Sequence, residues 1–490
     1  MLKKRQNVYK KMQSLPSIYW ILDMYFSKIV YCENKCGIRK KTAAVKERKR
    51  KMGLLTFKGG IHPDDGKRFS KDQAVKPLLP KGDMVYPLSQ HIGAPANPVV
   101  KKGDHVLKGQ MIADAGGFVS APIYSSVSGT VKGLEQRFNP TGTKVECIVI
   151  ENDGEYAEAE YAPVKPLEEL SREEILDMIA RAGIVGMGGA GFPTRVKLSP
   201  KEPDKIDYII ANCAECEPYI TADYRRMLEN TDELVSGMRV VLSLFPNARG
   251  IFAVEDNKKD CIEKLNQAVA DEPRMDVKAL VTKYPQGAER QLIYAVTKRA
   301  INSSMLPADA GCIVDNVETL VGIHNAVICG RPLTERIVTV SGDAVESPGN
   351  FRVLLGTNHR ELIDAAGGFK AEPEKLISGG PMMGFAMVTL DAPVTKTSSA
   401  ILAFQKDVVS RNPETACINC GRCVEVCPSR IIPSRLADYA RRQDEESFVA
   451  MNGLECVECG SCSYVCPAKR QLKQAIGAMR KIALANKRKK

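Results

Sequence analysis

At 490 residues, 44% hydrophobic and 26% charged, the chain is ordinary globular material too long for one core, so it divides into several domains. A net charge of +12 invites a nucleic-acid partner, yet residues 1–51 alone hold 15 Lys/Arg against 3 Asp/Glu, and 55 basic residues balance 55 acidic ones in the rest. The body of the chain therefore carries no electrostatic footprint for nucleic acid, and that class of partner is excluded.

The basic extension, residues 1–51, has the only tryptophan, Trp20, and ends in Lys46-Glu47-Arg48-Lys49-Arg50-Lys51. Its apolar stretch Ile18 to Tyr31 is interrupted by Asp23 and Lys28, and a membrane span needs about 20 apolar residues. One reading is a membrane-surface or targeting segment. The preferred expectation is a mis-called start with Met52 as the true first residue. No other stretch is apolar enough to span a bilayer, so any membrane association is expected to be peripheral. The basic tail, residues 481–490, closes with Lys487-Arg488-Lys489-Lys490, which reads as a solvated charged end.

Residues 52–165 open with Lys58-Gly59-Gly60-Ile61-His62-Pro63 and continue as short apolar runs broken by Gly103-Asp104, Gly109-Gln110 and Gly129-Thr130. Strands separated by such turns form an antiparallel module. It resembles the barrel-sandwich fold of biotinyl and lipoyl carriers. The segment comparable to their modified hairpin, Tyr124 to Ser128, has no lysine, so an unmodified docking or scaffold domain is expected.

Residues 166–335 alternate strand-like and helical runs, which implies an α/β domain with a mainly parallel sheet. Glu168 to Ala182 reads as a helix, with Ser171 and Glu174 as a capping box. Strands are expected at 207–211, 250–254 and 280–282, and helices at 222–228, 234–244, 258–269 and 288–295. In residues 336–395, runs at 337–340 and 351–355 flank a Ser347-Pro348-Gly349-Asn350 turn. A helix at 360–366 then stops at Gly367-Gly368, an order that suits a β-grasp (SLBB-like) unit.

Residues 396–480 carry the strongest signal. Cys417, Cys420, Cys423 and Cys427 form a C-x2-C-x2-C-x3-C-P run, repeated 39 residues later by Cys456, Cys459, Cys462 and Cys466. Bacterial ferredoxins hold [4Fe–4S] clusters with this run, its fourth cysteine ligating the other cluster. One cluster is thus assigned to Cys417, Cys420, Cys423 and Cys466, the other to Cys456, Cys459, Cys462 and Cys427. Structural zinc takes four ligands in two pairs, and disulfides belong to an oxidising compartment for which no secretory signal exists here. Between the runs, Ile431, Leu436, Tyr439, Ala440 and Phe448 recur in a helical rhythm, so a helix-rich dicluster domain is expected.

Gly186-x-Gly188-Gly189-x-Gly191-Phe192 departs from the dinucleotide fingerprint but shares its physics, because small residues let backbone N–H groups approach a phosphate. Cys213 and Cys216 form a further C-x-x-C without a second pair, and buried thiols are the simpler reading. Cys32, Cys36, Cys147, Cys261, Cys312 and Cys329 lack ligand spacing outside the Cys32/Cys36 pair of the extension, and the five histidines are scattered.

The glycine loop with Lys197, then Asn212 to Pro218, then Asn316-Val317-Glu318-Thr319-Leu320, resemble in order the flavin- and NADH-binding subunit of respiratory complex I. With a barrel-sandwich start and a dicluster end, residues 52–480 are similar to the RnfC family, the peripheral NADH-side subunits of the Rnf complex, an ion-translocating NADH–ferredoxin oxidoreductase. The resemblance implies FMN, NAD(H) as substrate, and other membrane subunits and a ferredoxin or electron-carrier subunit as partners. It places the chain on the cytoplasmic side of the cell membrane, where the assembly couples electron flow to movement of Na⁺ or H⁺. It further implies that Gly188, Gly189, Gly191 and Lys197 embrace the FMN phosphate and that Asn212, Glu215, Asn316 and Thr319 surround the rest of the flavin. Phe192 and Glu217 would contact the nicotinamide. Ala214 stands where the complex I subunit has an acidic residue, and Gly287 with Glu289 matches its Gly-Glu-Glu segment loosely. Independently, hydride donors release electrons in pairs while clusters take one at a time, so a flavin between them makes chemical sense. Two rivals stand beside this reading. One is a cobalamin-reducing flavin/iron–sulfur protein of a metabolic compartment, and the other is a non-catalytic cluster relay or scaffold.

Overall fold

The computed structural model describes residues 54–489. The basic extension, its Cys32/Cys36 pair and Lys490 lie outside the described residues. In the first domain, strands Met84–Pro87, His105–Val106, Gly129–Phe138 and Lys144–Asn152 form one antiparallel sheet. Asn97–Pro98, Met111–Asp114 and Ile123–Tyr124 form a second. Between them Tyr86, Val106, Ile112, Ile123, Val131, Ile148 and Ile150 are buried in one core. The segment that carriers use as an exposed tip turns inward here. Ser125, Ser126 and Ser128 are buried, and Ser126 Oγ donates to Leu355 O at 2.6 Å, docking the barrel onto the β-grasp unit.

The second domain centres on four parallel strands in the order Met275–Leu280, Arg249–Glu255, Tyr208–Cys213, Cys312–Asn316. Helices cover them, so the strands read as continuous apolar runs such as Ile209-Ile210-Ala211 and Ile251-Phe252-Ala253-Val254, all buried. The helix expected from Glu168 begins instead at Arg172, after a short turn at Leu167–Glu169. Its capping box forms as written: Glu174 N donates to Ser171 Oγ and Ser171 N to the Glu174 carboxylate. The strand expected at 280–282 lies earlier, at Met275–Leu280, an edge strand in which Asp276 and Lys278 alternate with buried Met275 and Val277, unlike the continuous apolar runs of its neighbours. Strand Cys312–Asn316 was not anticipated, nor was the helix Val317–Val327 as an element: five strand residues run straight into the helix with only Asn316 as cap, leaving no turn signal between them.

The β-grasp sheet has six strands in the order Lys76–Leu78, Gly349–Leu354, Glu335–Ser341, Ala400–Phe404, Lys375–Ser378, Phe385–Ala386. Its first strand comes from the N-terminal region, and Ala400–Phe404 carries the sheet past residue 395. Helix His359–Ala365 ends at Gly367 and Gly368, both at φ 81°, where a side chain would be strained. The last domain is helical: Pro433–Arg441, Glu445–Ala450 and Leu472–Lys489 pack around Leu436, Phe448, Leu472, Ile476 and Met479.

Candidate functional site

The two cysteine runs fold as two copies of one conformation. Asn419 and Glu458 share φ 55°, Gly421 and Gly460 lie at 77° and 81°, and Arg430 and Lys469 lie at 58° and 53°, each pair 39 residues apart. In each copy an amide donates to the first sulfur at 3.4 Å, Asn419 N to Cys417 Sγ and Glu458 N to Cys456 Sγ. Each cavity takes three thiols from one run and the fourth from the other. Cys456, Cys459, Cys462 and Cys427 line an inner cavity, whereas Cys417, Cys420, Cys423 and Cys466 line an outer one. Among the described residues no three His, Cys, Asp or Glu side chains converge on a site for a single ion. Four thiols around a space, with backbone N–H groups aimed at sulfur, suit a cubane cluster. Burial pushes the inner thiols up, Cys456 to about 12, so their deprotonated form needs the positive charge that iron supplies. Cys417 and Cys420 of the outer set are exposed.

The inner cavity is tied to the parallel sheet by an N-terminal strap. Leu55 bridges to Leu280 and Ile61 to Tyr284, while Lys283 Nζ donates to Phe57 O and Gly59 O and lies 4.0 Å from the Phe57 ring centroid. At the corner Gly60 N donates to Val426 O at 2.8 Å. Gly59 has φ 85°, and a Cβ there would meet the Cys427 and Val426 carbonyls at 3.0 Å. Gly59→Ala is therefore expected to destabilise the strap by about 1–2 kcal/mol, seen as faster limited proteolysis within residues 54–62; an unchanged rate would show that the corner is not held. Tyr284 Oη donates to Cys459 O at 2.6 Å and lies 3.5 Å from Glu217 Oε1. Met382 N and Met383 N also donate to the Glu217 carboxylate, at 3.1 and 2.9 Å. Burial raises Glu217 to about 7, against the pull of those two amides.

Behind this junction lies the sheet's switch point. The chain moves outward from Tyr208–Cys213 through Arg249–Glu255 to Met275–Leu280, then returns to the other side of Tyr208–Cys213 with Cys312–Asn316. Ligands of open α/β sheets bind beyond the carboxyl ends of strands at such a reversal. Asn212 and Asn316 are register partners at the ends of the two strands that flank it. The glycine loop leans on the same place: Met187 N donates to Thr319 Oγ1 at 3.0 Å, and a Cβ on Gly188 would lie 2.8 Å from Asn316 Cβ. A Cβ on Gly189 would meet nothing within 4 Å, and Phe192 is exposed.

Each remaining expected residue has a definite partner. Lys197 Nζ donates to Val314 O at 2.7 Å and pairs with Asp315 at 2.9 Å, leaving one of its three protons for a further acceptor. Asn212 Nδ2 donates to Gly287 O at 2.8 Å. Asn316 caps its helix through Glu318 N and donates to Asp223 Oδ2 at 2.6 Å. Glu215 is buried and turned into the protein, accepting from Asp223 N at 2.7 Å and from Lys67 Nζ at 3.4 Å. Gly191 packs against Gln90, His91 and Thr397. Cys213 and Cys216 are free thiols, and Cys216 Sγ accepts from Gly287 N at 3.2 Å.

Several supporting residues give no sequence signal. Lys67 and Lys258 are buried beneath residues 214–220, donating to Ile220 O and Ala214 O, each at 2.6 Å. Arg336, from the β-grasp sheet, donates to Met187 O at 3.0 Å. Asp223 sits beside Asn316, and burial first, then the charge of Glu215, pushes its carboxyl up to about 7. Thr194 Oγ1, both amide atoms of Gln286 and Asp315 Oδ2 are buried without a protein partner. Buried polar atoms ordinarily find partners, so the segments around the switch point fit a ligand rich in hydrogen-bonding groups.

Comparison with known proteins covers all four domains. Family models match for an RnfC barrel sandwich hybrid domain (residues 55–155), a Nuo51 FMN-binding domain (179–325), an SLBB domain (337–386) and a 4Fe-4S dicluster domain (416–469). The C subunit of the proton-translocating ferredoxin:NAD(+) oxidoreductase complex of Clostridium ljungdahlii is 47% identical over 426 residues, 86% of this chain and 93% of that protein. The C subunit of the Na(+)-translocating ferredoxin:NAD(+) oxidoreductase complex of Acetobacterium woodii is 43% identical over 439 residues, 89% and 98% of the two chains. A solved NAD+-reducing [NiFe]-hydrogenase in the air-oxidised state aligns with TM-score 0.47 at 18% identity, over 67% of this chain and 72% of that one. The chain belongs to the family of C subunits of ion-translocating ferredoxin:NAD(+) oxidoreductase complexes.

Proposed function

We propose that this chain passes electrons between NADH and the partner subunits of a membrane-bound ferredoxin:NAD(+) oxidoreductase complex, through FMN and two [4Fe–4S] clusters. The observation that carries this reading is the Tyr284 bond to Cys459 O, because it places an inner set of four thiols directly against the loop beside the switch point. FMN, when bound, supplies the exchange between a hydride's electron pair and single electrons. Gly188, Gly189, Gly191 and the free proton of Lys197 face its phosphate in this reading, with Asn212 and Asn316 at the strand ends. Thr319 and Glu215 serve by holding the glycine loop and residues 214–220, since their side chains are already engaged by Met187 N, Lys67 and Asp223 N. Phe192 stands exposed at the loop's edge for the nicotinamide, and Glu217 closes the side toward the cluster.

Cys456, Cys459, Cys462 and Cys427 would hold the cluster on the flavin side, and Cys417, Cys420, Cys423 and Cys466 the second, whose Cys417 and Cys420 are open to a partner. In this reading the chain is a peripheral subunit on the cytoplasmic side; among the described residues no helix is long and apolar enough to cross a membrane. Anaerobic reconstitution of the full chain with iron, sulfide and FMN, followed by NADH titration, tests this reading. Bleaching of flavin and clusters with about eight iron atoms per chain is expected. Eight iron atoms without flavin or NADH response would leave a cluster relay. Gly188→Ala drives a methyl group into Asn316 and is expected to weaken FMN binding about tenfold or more. Fluorescence quenching of FMN measures it, and unchanged affinity would remove the glycine loop from the flavin site.

A further inference from the structure

The two thiol cavities are built from the same repeat positions but not from the same charges. The inner one is lined by Ile431, Glu458 and Lys473 besides its cysteines, and the outer one by Arg470, Asn419 and Ser434. These are repeat mates, 39 residues apart: Ile431 with Arg470, Asn419 with Glu458, Ser434 with Lys473. The inner cavity is lined by one carboxylate and one ammonium, but Glu458 is held by Arg480 at 3.0 Å and Lys473 Nζ reaches Met382 O at 3.4 Å. In the outer cavity only Arg470 is charged. Its side chain is buried, Nη2 donates to Asp438 at 2.6 Å, and Nη1 has no hydrogen-bonding partner in the protein. Glu414, the other nearby carboxylate, is shared with Arg441 at 2.5 Å and Gln471 N at 2.7 Å, and neither it nor Asp438 lines the cavity.

A cubane held by four thiolates is anionic and gains a further negative charge on reduction. A buried cation and access to water both favour that added charge, while an apolar, enclosed site opposes it. Three differences favour reduction of the outer cluster, since Ile431 replaces the guanidinium, Glu458 replaces an amide, and Cys459 and Gly460 are buried where Cys420 and Gly421 are exposed; Lys473 in place of Ser434 opposes them, with its ammonium drawn toward Met382 O.

We propose that Arg470 is a tuning residue that sets the outer cluster at a higher reduction potential than the inner one, so that electrons entering from the flavin side settle at the exposed cluster. The inference rests on the cluster assignment proposed above. The step it governs moves one electron from the inner cluster to the outer one, with no proton or bond transferred.

An EPR-monitored redox titration of the reconstituted full chain, with dithionite as reductant, tests the ordering without NADH or flavin. Two midpoints are expected, and Cys420→Ser, which disturbs only the outer cluster, identifies the higher one. Arg470→Gln should lower that midpoint alone, shifting the electron distribution about tenfold toward the inner cluster, or about 59 mV for one electron. Arg470→Lys, which keeps the charge, should retain most of the gap and separates tuning from a structural effect of losing the Asp438 pair. An outer midpoint at or below the inner one, or a gap that Arg470→Gln leaves unchanged, overturns the proposal. Two unchanged signals in Cys420→Ser would instead overturn the cluster assignment, and the ordering with it.

Discussion

Replacing Cys427 by serine is expected to abolish the inner cluster and spare the outer one, although Cys427 belongs to the run that begins at Cys417. Cys427 is buried in the cavity lined by Cys456, Cys459 and Cys462, and its amide neighbour Val426 is anchored to the strap through Gly60. Iron should fall from about eight to about four per chain, since a cubane that loses one of four thiolates loses much of its hold on the metal. Double substitutions make the crossing decisive. Adding Cys459→Ser to Cys427→Ser should cost no further iron, whereas adding Cys420→Ser should remove the rest. Ligation within each run predicts the reverse pattern. NADH should still reduce bound flavin in Cys427→Ser while electrons fail to reach the outer cluster, because the inner step is missing.

The cysteine sites were legible because spacing alone dictates them: a three-residue rhythm closed by proline leaves the chain few ways to turn, and the left-handed residues recur with the same 39-residue offset. The barrel was legible from its glycine turns and the capping-box helix from its cap. The switch point was not. Strand Cys312–Asn316 is five residues long; Gly311 precedes it, but it ends in the cap of the next helix, so no breaker marks where strand gives way to helix. The residues that brace the site were equally silent. Lys396 is an unremarkable lysine in sequence, but its ammonium is enclosed and donates to Pro122 O at 2.6 Å and Gly183 O at 2.8 Å, and burial lowers it to about 7. Its partners are carbonyls of two other domains, set by chain folding hundreds of residues away. Tyr284 and Cys459 likewise become neighbours only through tertiary structure. Motifs reveal groups that meet a cofactor, whereas groups that hold domains together depend on backbone atoms, which every residue has.

Arg226→Leu is expected to be the most damaging change outside the cysteines. Arg226 Nε and Nη2 donate to Glu318 at 2.9 and 2.7 Å, with both side chains about 5% exposed, and Glu318 sits in the first turn of the helix that Asn316 caps. Truncating one partner leaves a buried carboxylate without its cation, a cost of about 3–5 kcal/mol. Amide hydrogen exchange across Val317–Val327 reads that loss locally, which suits a multidomain chain better than one global melting point. Flavin retention should fall with it, because Asn316 and Thr319 ride on the same helix. The pH dependence separates charge from packing. Burial works against ionised Glu318, but Arg226 outweighs it and holds the carboxyl below its usual range, so the pair's contribution is present above the unfolded pKa and fades as pH falls through the lowered one. In Arg226→Leu the sign is expected to reverse: burial, opposed only by the Arg336 charge and the Ile337 amide, raises the carboxyl, and acidification protonates it and relieves the penalty. The deficit relative to wild type should therefore shrink from pH 7 toward pH 5. A constant deficit would mean that Arg226 acts through its packing, and replacing both residues by leucine should then recover little, whereas a charge-driven loss should be largely restored.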